Sequence, residues 1–79
     1  MPVILRLNGY RFEFFSLDTG EPPHVHVRKS RKSAKFWLQP FVRLARNGRF
    51  RPHELKEIEK LVIEHREMFI EAWNEFFNR

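Results

Sequence analysis

Apolar and polar residues alternate through the first half of the chain, and from Pro52 onward apolar residues recur at every third or fourth position. The change of period separates a sheet-forming part from a helix. Val3 to Leu7 and Tyr10 to Phe15 flank Asn8-Gly9, the dipeptide best suited to a two-residue hairpin, so the chain opens with a β-hairpin. In its second strand Tyr10, Phe12 and Phe14 share one face and Arg11, Glu13 and Phe15 the other, which assigns the ring-bearing face to the core. Asp18 to Pro23 has the composition of a loop. Pro22 and Pro23 cannot donate ladder hydrogen bonds, so they fit the mouth of the next strand, at His24 to Lys29. Ser30-Arg31-Lys32-Ser33 turns the chain, and Ala34 to Leu38 returns as the partner strand, ended by Pro40. A short extended piece at Phe41 to Ala45 then precedes a turn at Asn47-Gly48.

Leu55, Ile58, Val62, His65, Phe69, Ala72 and Phe76 form a helical stripe that Leu61 and Met68 widen, which predicts one amphipathic helix from Pro52 to Phe77. Pro52 suits the first helical position and Glu54 the first turn, whereas Arg51 is a weak N-cap, so fraying is expected at this end. Such a helix is about 39 Å long at 1.5 Å per residue, against a diameter of about 30 Å for a globule of this chain length. An overhang is therefore expected, leaving Ile63, Ile70, Trp73, Phe76 and Phe77 as an interface for a homodimer or a partner protein. The predicted fold is α+β and a single domain over residues 1–79. It consists of a small, mostly antiparallel sheet of four to five strands with one long C-terminal helix on one face.

A chain of 79 residues buries a modest core, and scaling by length gives a stability of roughly 4 to 12 kcal/mol. There is no cysteine, which excludes disulfides, a thiolate zinc site and a cysteine nucleophile. The apolar run after Met1-Pro2 is too short for a signal peptide or a bilayer span, so a soluble cytoplasmic protein is expected, with no membrane partner. Net charge is +5 and unevenly spread: residues 1–50 carry ten basic against three acidic side chains, and residues 51–79 five against seven. A basic end beside an acidic helix suits a polyanion, and RNA or DNA is the expected partner.

Alternation in Pro22-Pro23-His24-Val25-His26-Val27-Arg28 turns His24, His26 and Arg28 to one face, predicted to be solvated, with Val25 and Val27 buried. Two imidazoles about 6.6 Å apart at their bases can straddle one phosphate. One can take the proton of an RNA 2′-hydroxyl while the other protonates the leaving oxygen, with Arg28 stabilising charge on phosphorus. If the protein is an enzyme, this chemistry makes it a metal-independent ribonuclease with His24, His26 and Arg28 as its catalytic set. Equally consistent with the residues is a strand face that is merely solvated, or a non-catalytic module that binds nucleic acid or a partner protein. Two histidines are too few for zinc and no nearby third histidine or aspartate follows them; His53 and Glu54 at the helix start would complete a site only if the fold brought them to the pair, so neither a metal nor another cofactor is expected. His65 falls in the apolar stripe and reads as a core histidine bonded to backbone. Lys29, Arg31, Lys32 and Lys35 supply phosphate-attracting charge, and Trp37 a ring on which a base can stack.

The Met1-Pro2 start, the hairpin, Pro22-Pro23-His24-x-His26 and a glutamate-rich helix with a tryptophan near its end resemble the bacterial domain-of-unknown-function family 4160. The resemblance spans essentially the whole chain, and its PPHxH core is its most specific part. It implies a toxin–antitoxin-type component, because members are commonly encoded beside another small protein, which would make a cognate antitoxin-like protein a partner. Only Pro22, Pro23, His24 and His26 carry over residue by residue. The Arg/Lys-rich segment after His26 departs from relatives in which an aromatic and a glycine are more usual.

Overall fold

Five strands follow one another in space in the order in which they occur in the chain. A computed structural model describes residues 3–77. Within it β1 (Val3–Leu7), β2 (Tyr10–Glu13), β3 (His24–Lys29), β4 (Lys32–Trp37) and β5 (Arg43–Gly48) form one antiparallel sheet, and α1 (Pro52–Glu64) and α2 (Arg66–Phe77) follow. The fold is α+β. Asn8 and Gly9 close the first hairpin with φ of 54° and 83°, the left-handed pair that matches strand twist. The second hairpin is tighter than the sequence predicts: Lys29 pairs with Lys32 across Ser30-Arg31, and Ser30 takes φ 54°.

One row of side chains forms the core. Tyr10, Phe12, Phe14, Val25, Val27, Ala34, Phe36 and Leu38 meet Ile58, Leu61, Val62, Phe69 and Trp73 of the helices. Phe12 lies 5.5 Å from Phe69, and Phe14 packs edge-on against Trp73 at 5.2 Å, ring centre to ring centre. Tyr10, at the polar end of this row, donates its hydroxyl to Glu57 Oε1 at 2.8 Å, and burial with that contact pushes its pKa up to about 12.

Four expectations are corrected. β2 stops at Glu13 instead of Phe15, because the Phe15 N–H turns out of the sheet to the Asp18 carboxylate at 3.0 Å. β5 covers Arg43–Gly48, and the chain turns at Arg49 (φ 81°), where the Asn47 amide bonds Phe50 in both directions at 3.0 and 3.1 Å. The start of α1 is held, because the Arg51 N–H donates to Glu54 Oε1 at 2.9 Å and Glu54 also receives Lys32. The long C-terminal helix bends at His65 (φ −109°, ψ 15°) into segments of 13 and 12 residues.

The bend is local. His65 N–H still reaches Leu61 O at 3.1 Å, its ring Nδ1–H reaches the same oxygen at 2.9 Å, and Phe69 N–H bonds His65 O. Arg66 anchors the bend by donating to Leu38 O and Pro40 O at 2.8 and 3.2 Å. The longest dimension is 37 Å, and the aromatic residues expected to overhang pack on the chain's own core. Trp73 is buried, and Phe76 and Phe77 are half-buried against Phe14 at 6.1 and 6.4 Å. Ile70 is also half-buried, whereas Ile63 is exposed beside Phe41. No helix of the described residues is long and apolar enough to cross a membrane.

Candidate functional site

The sheet face turned away from the helices carries Arg11 and Glu13 on β2, His24, His26 and Arg28 on β3, Ser33, Lys35 and Trp37 on β4, and Arg46 on β5, matched across the strands by register. Its two ends differ. At one end the loop after β2 folds back over the strands. Phe15 stacks on the His26 ring at 4.0 Å with the planes only 17° apart, and a short 3-10 turn at Ser16–Asp18 carries the Asp18 carboxylate under both imidazoles. His26 Nε2–H donates to Asp18 Oδ2 at 2.9 Å. His24 Nε2 lies 3.1 Å from the same oxygen but out of line for a hydrogen bond, and is fully buried without another partner. His24 Nδ1 sits 2.9 Å from Pro22 O, and since a carbonyl can only accept, this nitrogen carries the proton.

The expectation that the imidazoles stand in solvent is therefore overturned: His24 is 0% and His26 7% exposed. The rings do share a side, edge to face with centres 5.0 Å apart. Trp37 at 5.4 Å and Trp73 at 4.9 Å wall in His24. Burial holds His26 below the usual imidazole pKa, partly offset by Asp18. Burial works against ionisation of Asp18, yet the Phe15 N–H and both histidines outweigh it and keep the carboxyl below its ordinary range. Alternation reveals the shared side, but it says nothing of a loop that returns to cover it.

The expectation that no third ligand accompanies the histidines is likewise overturned. Asp18, His24 and His26, all buried, present ligand atoms within 4.8 Å of one another. Asp18 precedes the histidines in a stretch with the composition of a turn. Its detectable signal was the short loop, Asp18 to Pro23, that returns the chain to β3.

At the other end no described residue covers the strands. A cavity of about 300 Å³ lies there, and Phe15, His26, Arg28, Arg31, Ser33 and Arg46 are among its lining residues. Of the cations expected to contact phosphate, Arg31 and Lys32 line this cavity with Arg28, although the Lys32 ammonium itself is taken by Glu54. Lys29 and Lys32 turn to the helix side, Lys29 over the Tyr10 ring at 5.0 Å and Lys32 to Glu54 at 2.6 Å. Lys35 bonds Glu21 at 2.9 Å and lies over the half-buried Trp37 ring, covering a surface expected to stack bases. Arg46 was not among the expected contacts, because the sequence places the end of its strand one residue before it.

The three acidic residues of the sheet half are all engaged. Glu13, buried, lies 3.9 Å from Arg11 and 3.7 Å from Arg28; Asp18 serves the histidines; Glu21 takes Lys35. Among the described residues, no carboxylate pairs with Arg31 or Arg46. No curated protein and no solved structure matches the chain significantly. One family does match, over residues 9–74, a span that takes in four of the five strands, both histidines with Asp18, the basic cavity and most of both helices. The chain thus belongs to the family described as a domain of unknown function, DUF4160.

Proposed function

We propose that this protein is a non-catalytic module that holds the phosphate backbone of nucleic acid on the uncovered end of its sheet. One observation carries the reading: Arg28, Arg31 and Arg46 converge on a single concave surface, and two of the three have no carboxylate to neutralise them among the described residues. Guanidinium groups grip phosphate through paired donors, and Ser30 and Ser33 at the same cavity add hydroxyls. Such contacts fix position without reading sequence. The acid–base role considered for His24 and His26 is set aside, because both Nε2 atoms face Asp18 inside the protein instead of facing a ligand. A role within a toxin–antitoxin pair is compatible with a binding module of this kind and rests on the family resemblance alone.

Fluorescence anisotropy with labelled RNA and DNA oligonucleotides across a salt series tests the reading. Affinity should fall steeply with salt, Arg31→Ala and Arg46→Ala should each reduce the log–log salt slope by about 1, and the RNA should remain intact. Absence of binding at low salt would refute the module, and RNA cleavage that depends on His24 and His26 would restore the enzymatic reading.

A further inference from the structure

We infer that Asp18, His24 and His26 form a site for one divalent transition-metal ion of the zinc type, which clasps the loop after β2 to β3. The site shares His26 with the wall of the basic cavity but does not depend on the cavity's phosphate chemistry. Three donors of suitable type, two imidazole nitrogens and one carboxylate oxygen, converge from two different segments of chain. His24 is the decisive member. Its Nδ1–H is held by Pro22 O, which turns the Nε2 lone pair inward, and that buried atom has no hydrogen-bond partner. A backbone carbonyl on the far nitrogen is the usual way in which a metal-binding histidine is oriented. Asp18 is oriented in the same manner by the Phe15 N–H at 3.0 Å.

The dimensions suit zinc. Tetrahedral ligands bonded at 2.0–2.1 Å stand about 3.3 Å from one another. Asp18 Oδ2 lies 3.1 Å from His24 Nε2 and 2.9 Å from His26 Nε2, slightly inside that spacing, and all three ligand atoms fall within 4.8 Å of one another, so small side-chain adjustments admit the ion. Two imidazoles and a carboxylate also suit zinc better than magnesium or calcium, which prefer all-oxygen shells. Three protein ligands leave the fourth position for water. Phe15, Trp37 and Trp73 surround the histidines with apolar surface, which strengthens each ligand bond by keeping bulk water away. Without an ion the same three residues form a hydrogen-bonded Asp–His pair with His24 Nε2 left over.

Chelator-treated protein titrated with zinc sulfate by calorimetry, and with Co2+ by visible spectroscopy, separates the two. The expected result is one equivalent of Zn2+ bound, a raised melting temperature and the visible bands of tetrahedral Co2+. Asp18→Asn keeps the size and the acceptor of the side chain but should weaken Zn2+ at least tenfold, while His53→Ala and His65→Ala should leave affinity unchanged. If Asp18→Asn does not fold, nitrogen NMR of the wild-type rings supplies the answer, since Zn2+ should shift both Nε2 resonances, displace the proton that His26 Nε2 donates to Asp18, and leave the His24 Nδ1 proton in place. Folded protein that takes up no Zn2+ at millimolar concentration, or uptake that disappears with His53 or His65, or Nε2 resonances unmoved by Zn2+, would overturn the proposal.

Discussion

The row of side chains that β3 turns away from the helices changes character along its length. His24 and His26 are as hidden as Val25 and Val27 on the opposite side, whereas Arg28, two residues further on, is exposed. All five belong to one regular strand. The difference comes from what lies over the strand: Phe15, Asp18 and Trp73 at one end, and no described residue at the other. Strand alternation assigns a side chain to a face, and coverage by another segment decides whether that face meets water. The covered end therefore holds polar groups away from water, and the open end keeps its charge available to a ligand.

Removing the anchor of the covered end should have the largest effect. Asp18→Ala leaves His26 Nε2 and the Phe15 N–H without their acceptor, which should cost about 3 kcal/mol in urea denaturation. That is a large share of the roughly 4 to 12 kcal/mol available to a chain of this length. Opening the covered end from above is gentler. Phe15→Ala removes a half-buried ring and should cost about 2 kcal/mol. It should also raise the His26 pKa toward its ordinary value of 6.5, read by NMR titration, because burial is the leading cause of its depression.

Near neutral pH, acid should act first on the covered end, through His26. In chelator-treated protein the unfolded chain protonates His26 near 6.5 and the folded protein protonates it at lower pH. Between those values the unfolded state binds more protons, so stability declines as the pH falls below 6.5. Asp18 adds in the same direction further down: its contribution is complete above its ordinary value of 3.8 and is lost as the pH falls through the lower folded-state value. His26→Gln should flatten the upper part of this profile, and an unchanged profile would place the acid sensitivity elsewhere. The smallest effect on stability belongs to the open end, where Arg46→Ala should change it by less than about 0.5 kcal/mol while weakening nucleic-acid binding.

Much of the architecture was legible because local chemistry dictated it. Asn8-Gly9 admits the left-handed hairpin turn, Pro22-Pro23 precedes β3 at the predicted residue, and the rings of Tyr10, Phe12 and Phe14 fall on the core side. The bend at His65 was less legible, because its apolar spacing continues through it. The ring bond to Leu61 O and the Arg66 contacts to Leu38 and Pro40 are local or long-range events that a period does not encode. The bend also carries Trp73 to Phe14 and His24, which explains why aromatic residues expected at an interface close the chain's own core.

By itself the sequence determined the antiparallel hairpins, the apolar face of the sheet, the amphipathic C-terminal segment and the placement of His24, His26 and Arg28 on one side of β3. Hydrophobic periodicity and turn chemistry act over a few residues, and these features need no more. Tertiary structure alone decided that Asp18 returns beneath the histidines, that Lys29 and Lys32 turn to the helix side, and that Arg46 joins Arg28 and Arg31 around one cavity. Each of these depends on segments far apart in the chain meeting at a set distance, and only the packing of sheet, loop and helices fixes such distances.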